Sequence, residues 1–189
     1  GAELTVLPGE VHGVLGENGA GKTTLLHVLG GMLRPDGGRM EVEGEVRRFL
    51  SPRDAWRAGV GLVHQHFTLV PTLTVLENLA LGRRSASGGF RLPYATLRRE
   101  VGALVERTGL QVPLEARVEA LGVGTRQRVE ILKTLLRRPR VLVLDEPTAV
   151  LAPSEVRALF RLLRELAAEG RPWSWWPTSS TRSWGWRTG

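Results

Sequence analysis

A glycine-rich run followed by a lysine and two threonines is the part of this chain best suited to do chemistry. It consists of Gly16, Glu17, Asn18, Gly19, Ala20, Gly21, Lys22, Thr23 and Thr24. Its spacing fits G-x-x-x-x-G-K-[ST], in which glycines let consecutive N–H groups point at phosphate oxygens. Lys22 would reach the outer phosphates, and the Thr23 hydroxyl would bind Mg²⁺. We therefore expect this loop to bind a nucleoside triphosphate.

The flanking elements place the loop between a strand and a helix. An apolar run at 11–15 predicts a buried strand, and residues 24–33 predict the helix that follows. A second apolar strand at 141–144 ends in two carboxylates. Because parallel strands present the residues at their carboxyl ends to a phosphate pocket, we expect Asp145 to hold Mg²⁺ and Glu146 to activate the attacking water.

The rest of the chain alternates turns, short strands and amphipathic helices. A turn at 34–38 precedes a strand at 39–42 and a turn at Gly44, and Ser51 and Pro52 mark the start of a helix. The further expected elements are a strand at 60–64, a capping box at Thr74 and Glu77, and helices at 93–108, 125–137 and 153–168, the last ending at Gly170. This order predicts an α/β nucleotide-binding core with a helical insertion.

Composition narrows the classes of partner. The 189 residues include no cysteine and carry a formal net charge of +7, and all basic residues except Lys22 and Lys133 are arginines. Because the arginines are scattered as pairs and form no stripe, we read them as solvated surface and expect no nucleic-acid partner. The sequence shows no secretory pattern and no apolar stretch long enough to span a bilayer, so any membrane role would require a partner.

Two further segments resemble those of a known family. Residues 121–128, just before a predicted helix, resemble the signature loop of ATP-binding cassette (ABC) ATPases, and residues 63–67 resemble their glutamine loop around Gln65. Together with the phosphate loop and residues 145–148, the resemblance extends over 9–170. Residues 64–78, 128–133 and 147–151 are similar to the branch that energises import of simple sugars and nucleosides, and the chain is similar to the first cassette of a tandem pair.

The resemblance implies a P-loop NTPase core of ABC ATPase type, with a helical signature subdomain at about 74–138 in a partial cassette at 1–172. ATP and Mg²⁺ would be the cofactors. Gln65 would contact Mg²⁺ and sense the γ-phosphate, and N–H groups of Gly122 and Gly124 would meet the ATP of the opposite cassette. The resemblance also implies that the family's first strands and its adenine-stacking aromatic precede Gly1.

The same resemblance implies partners and a location. The partners would be a second cassette (as a dimer or as a tandem half), transmembrane permease subunits and, indirectly, a substrate-binding protein. The chain would work at the cytoplasmic face of the membrane, and the partly apolar surface at 67–77 would receive a permease helix. His64 and His66 flank Gln65 without a third ligand nearby, so we expect no metal site there.

One residue departs from the family pattern. Gly122 stands where the family usually has a serine whose hydroxyl helps to hold the γ-phosphate. Losing such a charge-assisted hydrogen bond costs roughly 1.5–3 kcal/mol. Two hypotheses therefore stay open. Gly122 is either a tolerated variant in an asymmetric pair of cassettes or a mark of a nucleotide-binding module that does not hydrolyse ATP. A soluble ABC protein acting on nucleic acid or ribosomes is a third hypothesis, which the resemblance at 63–78 disfavours.

The last residues do not fit the pattern. Residues 173–189 hold five of the six tryptophans, where the family has a buried strand and then a histidine that contacts the γ-phosphate. Reading back-translated codons one base earlier allows Val-Val-Val-Val-Ala-His-Lys-Leu-Asp-Glu-Val at 173–183, with the histidine at the position of Thr178. We expect a single-base deletion near codon 172, which leaves this tail out of frame. The alternative is a divergent aromatic tail that packs on the core or on a partner.

Overall fold

Helices and short strands alternate along the chain in the computed structural model, which describes residues 3–7, 19–63, 67–83, 94–145 and 151–168. The helices are α1 (Lys22–Leu29), α2 (Pro52–Arg57), α3 (Val75–Ala80), α4 (Tyr94–Thr108), α5 (Val123–Leu135) and α6 (Pro153–Ala168). The strands are β1 (Met40–Val42), β2 (Glu45–Arg47), β3 (Val60–Val63) and β4 (Val141–Leu144), and a 3-10 turn spans Val118–Ala120.

The chain divides into two compact units. The first is drawn from Gly1–Leu62, Arg138–Asp145 and Leu163–Gly189, and the second from Val63–Arg137 and Glu146–Leu162. Within each unit, the described residues are those in the ranges given above. None of the helices in these ranges combines the length and the apolar composition that crossing a bilayer requires.

The first unit is built on the pairing of β3 with β4. The N–H groups of Arg140 and Val141 both donate to the carbonyl oxygen of Gly59, at 2.6 and 3.0 Å, so the two strands start side by side and run parallel. The buried core consists of Val42, Phe49, Ala55, Val60, Leu62 and Val143, and the half-buried Leu26 and Leu29 of α1 pack against it. This core seats α1 beside the strands and so positions the residues at the start of the helix.

In the second unit α3, α4 and α5 pack against one another. The buried residues of α4 recur every three or four positions, at Leu97, Val101, Leu104 and Thr108, which gives one apolar face on a helix of 3.6 residues per turn. On α5 the burial extends around most of the helix and includes Gln127 and Glu130. The charged residue on that buried helix needs a polar partner, which the site below provides.

Several predicted elements need correction. The first helix ends at Leu29, not at 33, because Gly30 closes it and Gly31 takes a positive φ of 71°. The fifth helix covers Val123–Leu135, not 125–137, so it begins one residue after Gly122. Strand β2 was not predicted; all three of its residues are exposed, so it shows no alternation of burial.

The start of α2 also differs in its bonding from the prediction. Ser51 does occupy the N-cap position, but its side chain makes no capping bond to the helix backbone. Its hydroxyl instead donates to Oδ2 of Asp54 at 3.0 Å, and the N–H of Leu50 donates to the same oxygen at 3.1 Å. The bond from Ser51 is the main reason that the pKa of Asp54 lies below its usual range. The start of α2 is therefore held by the carboxylate of Asp54, which lies in the first turn of the helix and accepts from the two residues before it.

The other predicted elements divide into those observed and those outside the described residues. The strand at 141–144 and the helix at 153–168 have the predicted bounds, and the strands and helix predicted at 39–42, 60–64 and 93–108 agree to within one residue over their described parts. The strand at 11–15, the stop at Gly170 and the tail at 173–189 lie outside the described residues.

Removal of the Thr74 hydroxyl should destabilise α3. This hydroxyl accepts from the N–H of Glu77 at 3.2 Å and donates to its Oε2 at 2.8 Å, which confirms the predicted capping box. For Thr74→Ala we expect a loss of about 1 kcal/mol in the free energy of unfolding, measured by urea titration at pH 7. Thr74→Ser, which keeps the hydroxyl, should lose much less.

The same cost should depend on pH. Hydrogen bonds from the backbone N–H and then the hydroxyl of Thr74 hold the pKa of Glu77 below its usual range. A carboxylate with a lowered pKa stabilises the fold above its unfolded pKa, and this contribution is lost as the pH falls through the lowered value. The difference in free energy of unfolding between wild type and Thr74→Ala should therefore be smaller in acid, where Glu77 is protonated, than at pH 7. An equal difference in acid and at pH 7 would contradict the capping role of Glu77.

Candidate functional site

The described end of the glycine-rich loop has the backbone conformation that its glycines permit. Gly19 and Gly21 have φ values of 84° and 86°, in the left-handed region where a side chain is strained. Gly21 is the N-cap of α1, and its carbonyl oxygen accepts from the N–H of Leu25 at 2.9 Å. Ala20 and Thr24 are exposed, whereas Lys22 is half-buried at the first helical position. Gly16, Glu17 and Asn18 lie outside the described residues.

Asp145 brings the end of β4 to the start of α1. Its side chain follows the strand directly and is 2% exposed. The Thr23 hydroxyl donates to its Oδ1 at 3.4 Å, a long hydrogen bond, and Nε2 of His27 lies 3.9 Å from its Oδ2. Two residues that are 122 positions apart in sequence, each predicted to bind Mg²⁺, are thus neighbours in the first unit.

The chemistry of this pair fits a magnesium ion. Oδ2 of Asp145 is buried, and no hydrogen bond from the described residues reaches it. A buried carboxylate oxygen without a donor, next to a threonine hydroxyl, is an oxygen set of the kind that Mg²⁺ binds. Gln65 and Glu146, the other residues predicted here, lie outside the described residues. Within the described ranges there is no group of three or more His, Cys, Asp or Glu side chains able to hold a metal ion by themselves.

The predicted signature loop lies in the second unit and ends in α5. Gly122 is the N-cap, with φ −66° and ψ 159°, and Gly124 lies in the first turn. No atom of the described part of the chain comes within 4 Å of the position that a Cβ of Gly122 would occupy. Arg126 braces this turn from inside the helix, because Nε donates to the carbonyl oxygen of Val118 at 3.2 Å and Nη2 to that of Glu119 at 2.9 Å.

Two buried polar residues were given no role by the sequence reasoning. Asn78 is fully buried on α3 and binds Val70 twice, accepting from its N–H at 2.7 Å and donating to its carbonyl oxygen at 3.0 Å. Glu130 on α5 accepts from both the N–H and the hydroxyl of Thr68. Burial lowers the pKa of Lys133, and the nearby Glu130 partly opposes that shift. The sequence offers no clear signal for either residue, because other polar residues stand beside both of them on their helices.

Comparison with known proteins identifies the family. The family model described as ABC transporter matches residues 1–149. The chain is 48% identical to the ribose import ATP-binding protein RbsA 1 of Rubrobacter xylanophilus, over 90% of this chain and 34% of that protein. It is 45% identical to the nucleoside import ATP-binding protein NupA of Lactococcus lactis, over 89% of this chain and 33% of that protein. The chain belongs to the ABC transporter family, and it spans about a third of the length of these curated relatives.

Solved structures give the same fold. A dimeric ATP-binding cassette in a post-hydrolysis state, bound to ADP and Pi, is similar with a TM-score of 0.76 and 26% identity, over 88% of this chain and 73% of that one. The cassette cbiO1 from Clostridium perfringens, part of the transporter complex cbiONQ, is similar with a TM-score of 0.68 and 30% identity, over 89% and 66%. The predicted P-loop NTPase core of ABC ATPase type is thereby confirmed.

The Thr23 hydroxyl can be removed without changing the shape of the side chain. In Thr23→Val we expect the extra ATP affinity that Mg²⁺ provides to fall by at least about tenfold, or ~1.4 kcal/mol, because one oxygen of the proposed ion site is gone. Thr23→Ser keeps the hydroxyl and should bind like wild type. Calorimetry with and without Mg²⁺ measures both; an unchanged Mg²⁺ dependence in Thr23→Val would remove Thr23 from the site.

Proposed function

We propose that this chain is the ATP-binding and ATP-hydrolysing cassette that energises an ABC importer, with a nucleoside or a simple sugar as the cargo. The observation that carries the proposal is the hydrogen bond from Thr23 to the buried Asp145. It places the phosphate loop beside the end of β4, where the carboxylate lies. The cargo class is supported by the relatives of the chain, which are ribose, nucleoside, guanosine, glucose and arabinose import ATP-binding proteins.

Each predicted residue has a defined part in this proposal. The backbone N–H groups of Gly16, Glu17, Asn18, Gly19, Ala20 and Gly21 bind the phosphates, with Lys22 on the outer phosphates and Thr24 beside them. Thr23, Asp145 and Gln65 hold Mg²⁺, which when bound neutralises charge on the phosphates. Glu146 draws a proton from the attacking water, and Gln65 relays the state of the γ-phosphate.

The partners follow from the same proposal. A second cassette, as a dimer or as the other half of a tandem polypeptide, supplies the surface that meets Gly122 and Gly124. Permease subunits carry the cargo and receive it from a substrate-binding protein, while this chain works at the cytoplasmic face of the membrane. No nucleic-acid partner is proposed. The exposed Val70, Pro71 and Thr72 support a permease contact, because they present a short, partly apolar surface.

Removal of the Lys22 charge tests the proposal. Lys22→Ala deletes the cation placed at the outer phosphates, so ATP affinity should fall by at least about tenfold. ATP-driven uptake into vesicles that hold the cassette with its permease should fall to background. Lys133→Ala, the matched removal of the other lysine, should leave ATP affinity unchanged. Equal ATP affinity in wild type and Lys22→Ala would overturn the assignment of the phosphate loop.

One observation favours a second candidate, a cassette that binds nucleotide without hydrolysing it. Gly122 lacks the hydroxyl that the resemblance predicts in the composite site, and Thr178 stands at the position where the resemblance predicts a histidine. Threonine donates a neutral hydrogen bond and cannot carry a positive charge, so stabilisation of the γ-phosphate in the transition state would be weaker. We further propose that the tail at 173–189 is out of frame. Sequencing of the gene across these codons should then show a histidine codon at position 178, which would leave Gly122 as the support for the second candidate.

A serine at position 122 separates these two candidates. The position has a negative φ and open space around its missing Cβ, so Gly122→Ser should fold without strain. If the cassette hydrolyses ATP, the added hydroxyl should raise turnover of the paired cassettes by about tenfold or more. Gly122→Ala, which adds a methyl group and no hydroxyl, should not. A cassette that stays inactive with serine at 122 would favour the binding-only candidate.

A further inference from the structure

Every backbone and side-chain polar group of Thr68 is bound to one helix. Glu130 of α5, 2% exposed, accepts from the Thr68 N–H, and the Thr68 hydroxyl lies 2.9 and 3.2 Å from the two carboxylate oxygens. Lys133, one turn further along α5, donates through Nζ to the carbonyl oxygen of Thr68 at 3.2 Å and to its hydroxyl at 3.3 Å. The residue that follows Gln65 by three positions is therefore fixed to α5.

The residues after Thr68 are fixed to the backbone just before α5. The carbonyl oxygens of Pro71 and Leu73 accept from the N–H groups of Glu119 and Val118, both at 3.0 Å, and Thr74 forms an antiparallel bridge with Arg117. Arg117 is followed by the 3-10 turn at Val118–Ala120, which leads to Gly122, the N-cap of α5. Segment 67–74 is thus attached both to the backbone at 117–119, just before α5, and to the third turn of α5.

The charge of Glu130 is a costly way to fill this space. Burying a carboxylate requires hydrogen bonds or a partner charge, whereas an apolar residue of the same size packs without that cost. What the carboxylate adds is direction, because its oxygens accept at defined angles and select one position for the Thr68 peptide group. Glu130 therefore sets where segment 67–74 lies relative to α5.

We propose that Glu130 is a positioning residue that makes α5, the signature loop at 121–124 and segment 67–74 move as one piece. A shift of the signature loop on meeting ATP would then displace the surface at 70–72 that faces the permease. This inference rests on the proposed function, and it assigns to Glu130 a part in coupling rather than in the hydrolytic chemistry.

The variant Glu130→Gln tests the inference. It preserves the size of the side chain and replaces one accepting oxygen and the charge by a donor group. ATP hydrolysis is measured for the cassette alone and for the transporter reassembled in vesicles with its permease and loaded binding protein. We expect the ratio of stimulated to basal hydrolysis to fall by about tenfold, the loss of one charge-assisted bond. The basal rate and the KM for ATP should stay within about twofold of wild type, since Glu130 lies outside the proposed phosphate and Mg²⁺ site.

A matched control separates positioning from stability. Thr134 is also buried on α5, and its hydroxyl donates to the carbonyl oxygen of Glu130 at 3.1 Å, a bond within the helix. Thr134→Val should lower the unfolding midpoint and leave the stimulation ratio unchanged. Thr68→Val should lower the stimulation ratio, whereas Thr68→Ser, which keeps the hydroxyl, should keep the ratio of wild type. In the double variant Glu130→Gln with Thr68→Val, the stimulation ratio should fall no further than in Glu130→Gln alone, because the two substitutions remove the same interaction.

The outcomes distinguish the inference from the proposed function. A wild-type transporter that the permease does not stimulate would overturn the proposed function, and the inference with it. Normal stimulation in wild type with an unchanged ratio in Glu130→Gln would overturn the inference alone. A ratio that falls equally in Glu130→Gln and Thr134→Val, in step with their unfolding midpoints, would show that Glu130 acts only through stability and would also overturn the inference.

Discussion

The buried carboxyl group of Asp145 constrains the whole first unit. It lies at the end of an apolar strand, where a polar group is costly unless it finds a donor. In the described part of the chain its hydrogen bond comes from Thr23, at 3.4 Å, so the start of α1 has to lie beside the end of β4. The packing of Leu26 and Leu29 on the core brings the helix there. The second carboxylate oxygen of Asp145 receives no hydrogen bond from the described residues, so a cation bound there would stabilise the fold by mass action.

The second unit meets the same constraint with the opposite result. Asn78 and Glu130 are as deeply buried as Asp145, but their polar atoms are taken up by the segment at 68–74. A saturated buried network selects one arrangement, whereas a buried oxygen without a donor invites a ligand. The two units therefore use buried polar groups differently. In the first unit the carboxylate of Asp145 can bind a cation. In the second unit Asn78 and Glu130 hold the segment at 68–74 in one conformation.

The sequence predicted what local patterns encode. Apolar runs and caps located β4, α6 and the capping box at Thr74, and the spacing of motifs located Thr23 and Asp145. The predicted end of α1 was wrong although the sequence marks it, because Gly30 and Gly31 stand where the helix closes. A Cβ on Gly30 would also lie 2.5 Å from Cδ2 of Leu62, a contact between distant residues that leaves no local mark.

The roles of Asn78 and Glu130 escaped the sequence for a related reason. The partner of Glu130 lies 62 positions away, and its residue type alone does not reveal that partner. Strand β2 escaped because its charged and apolar residues alternate over three positions, which is too short a run to indicate a strand. The residues at 64–66 and 146–150 lie outside the described residues, so Gln65 and Glu146 remain predictions.

The departure at Gly122 concerns chemistry more than folding. A serine at an N-cap usually stabilises a helix, and glycine there costs only a few tenths of a kcal/mol by comparison. Helix α5 forms without a side-chain cap because its burial, at Val129, Ile131, Leu132 and Leu135 among others, supplies the stability. Glycine at position 122 leaves the first N–H groups of the helix without a side-chain acceptor, so they can bind an anion. In the proposed function, what the glycine removes is one donor to a phosphate, so the fold of the cassette and its rate of hydrolysis can vary independently.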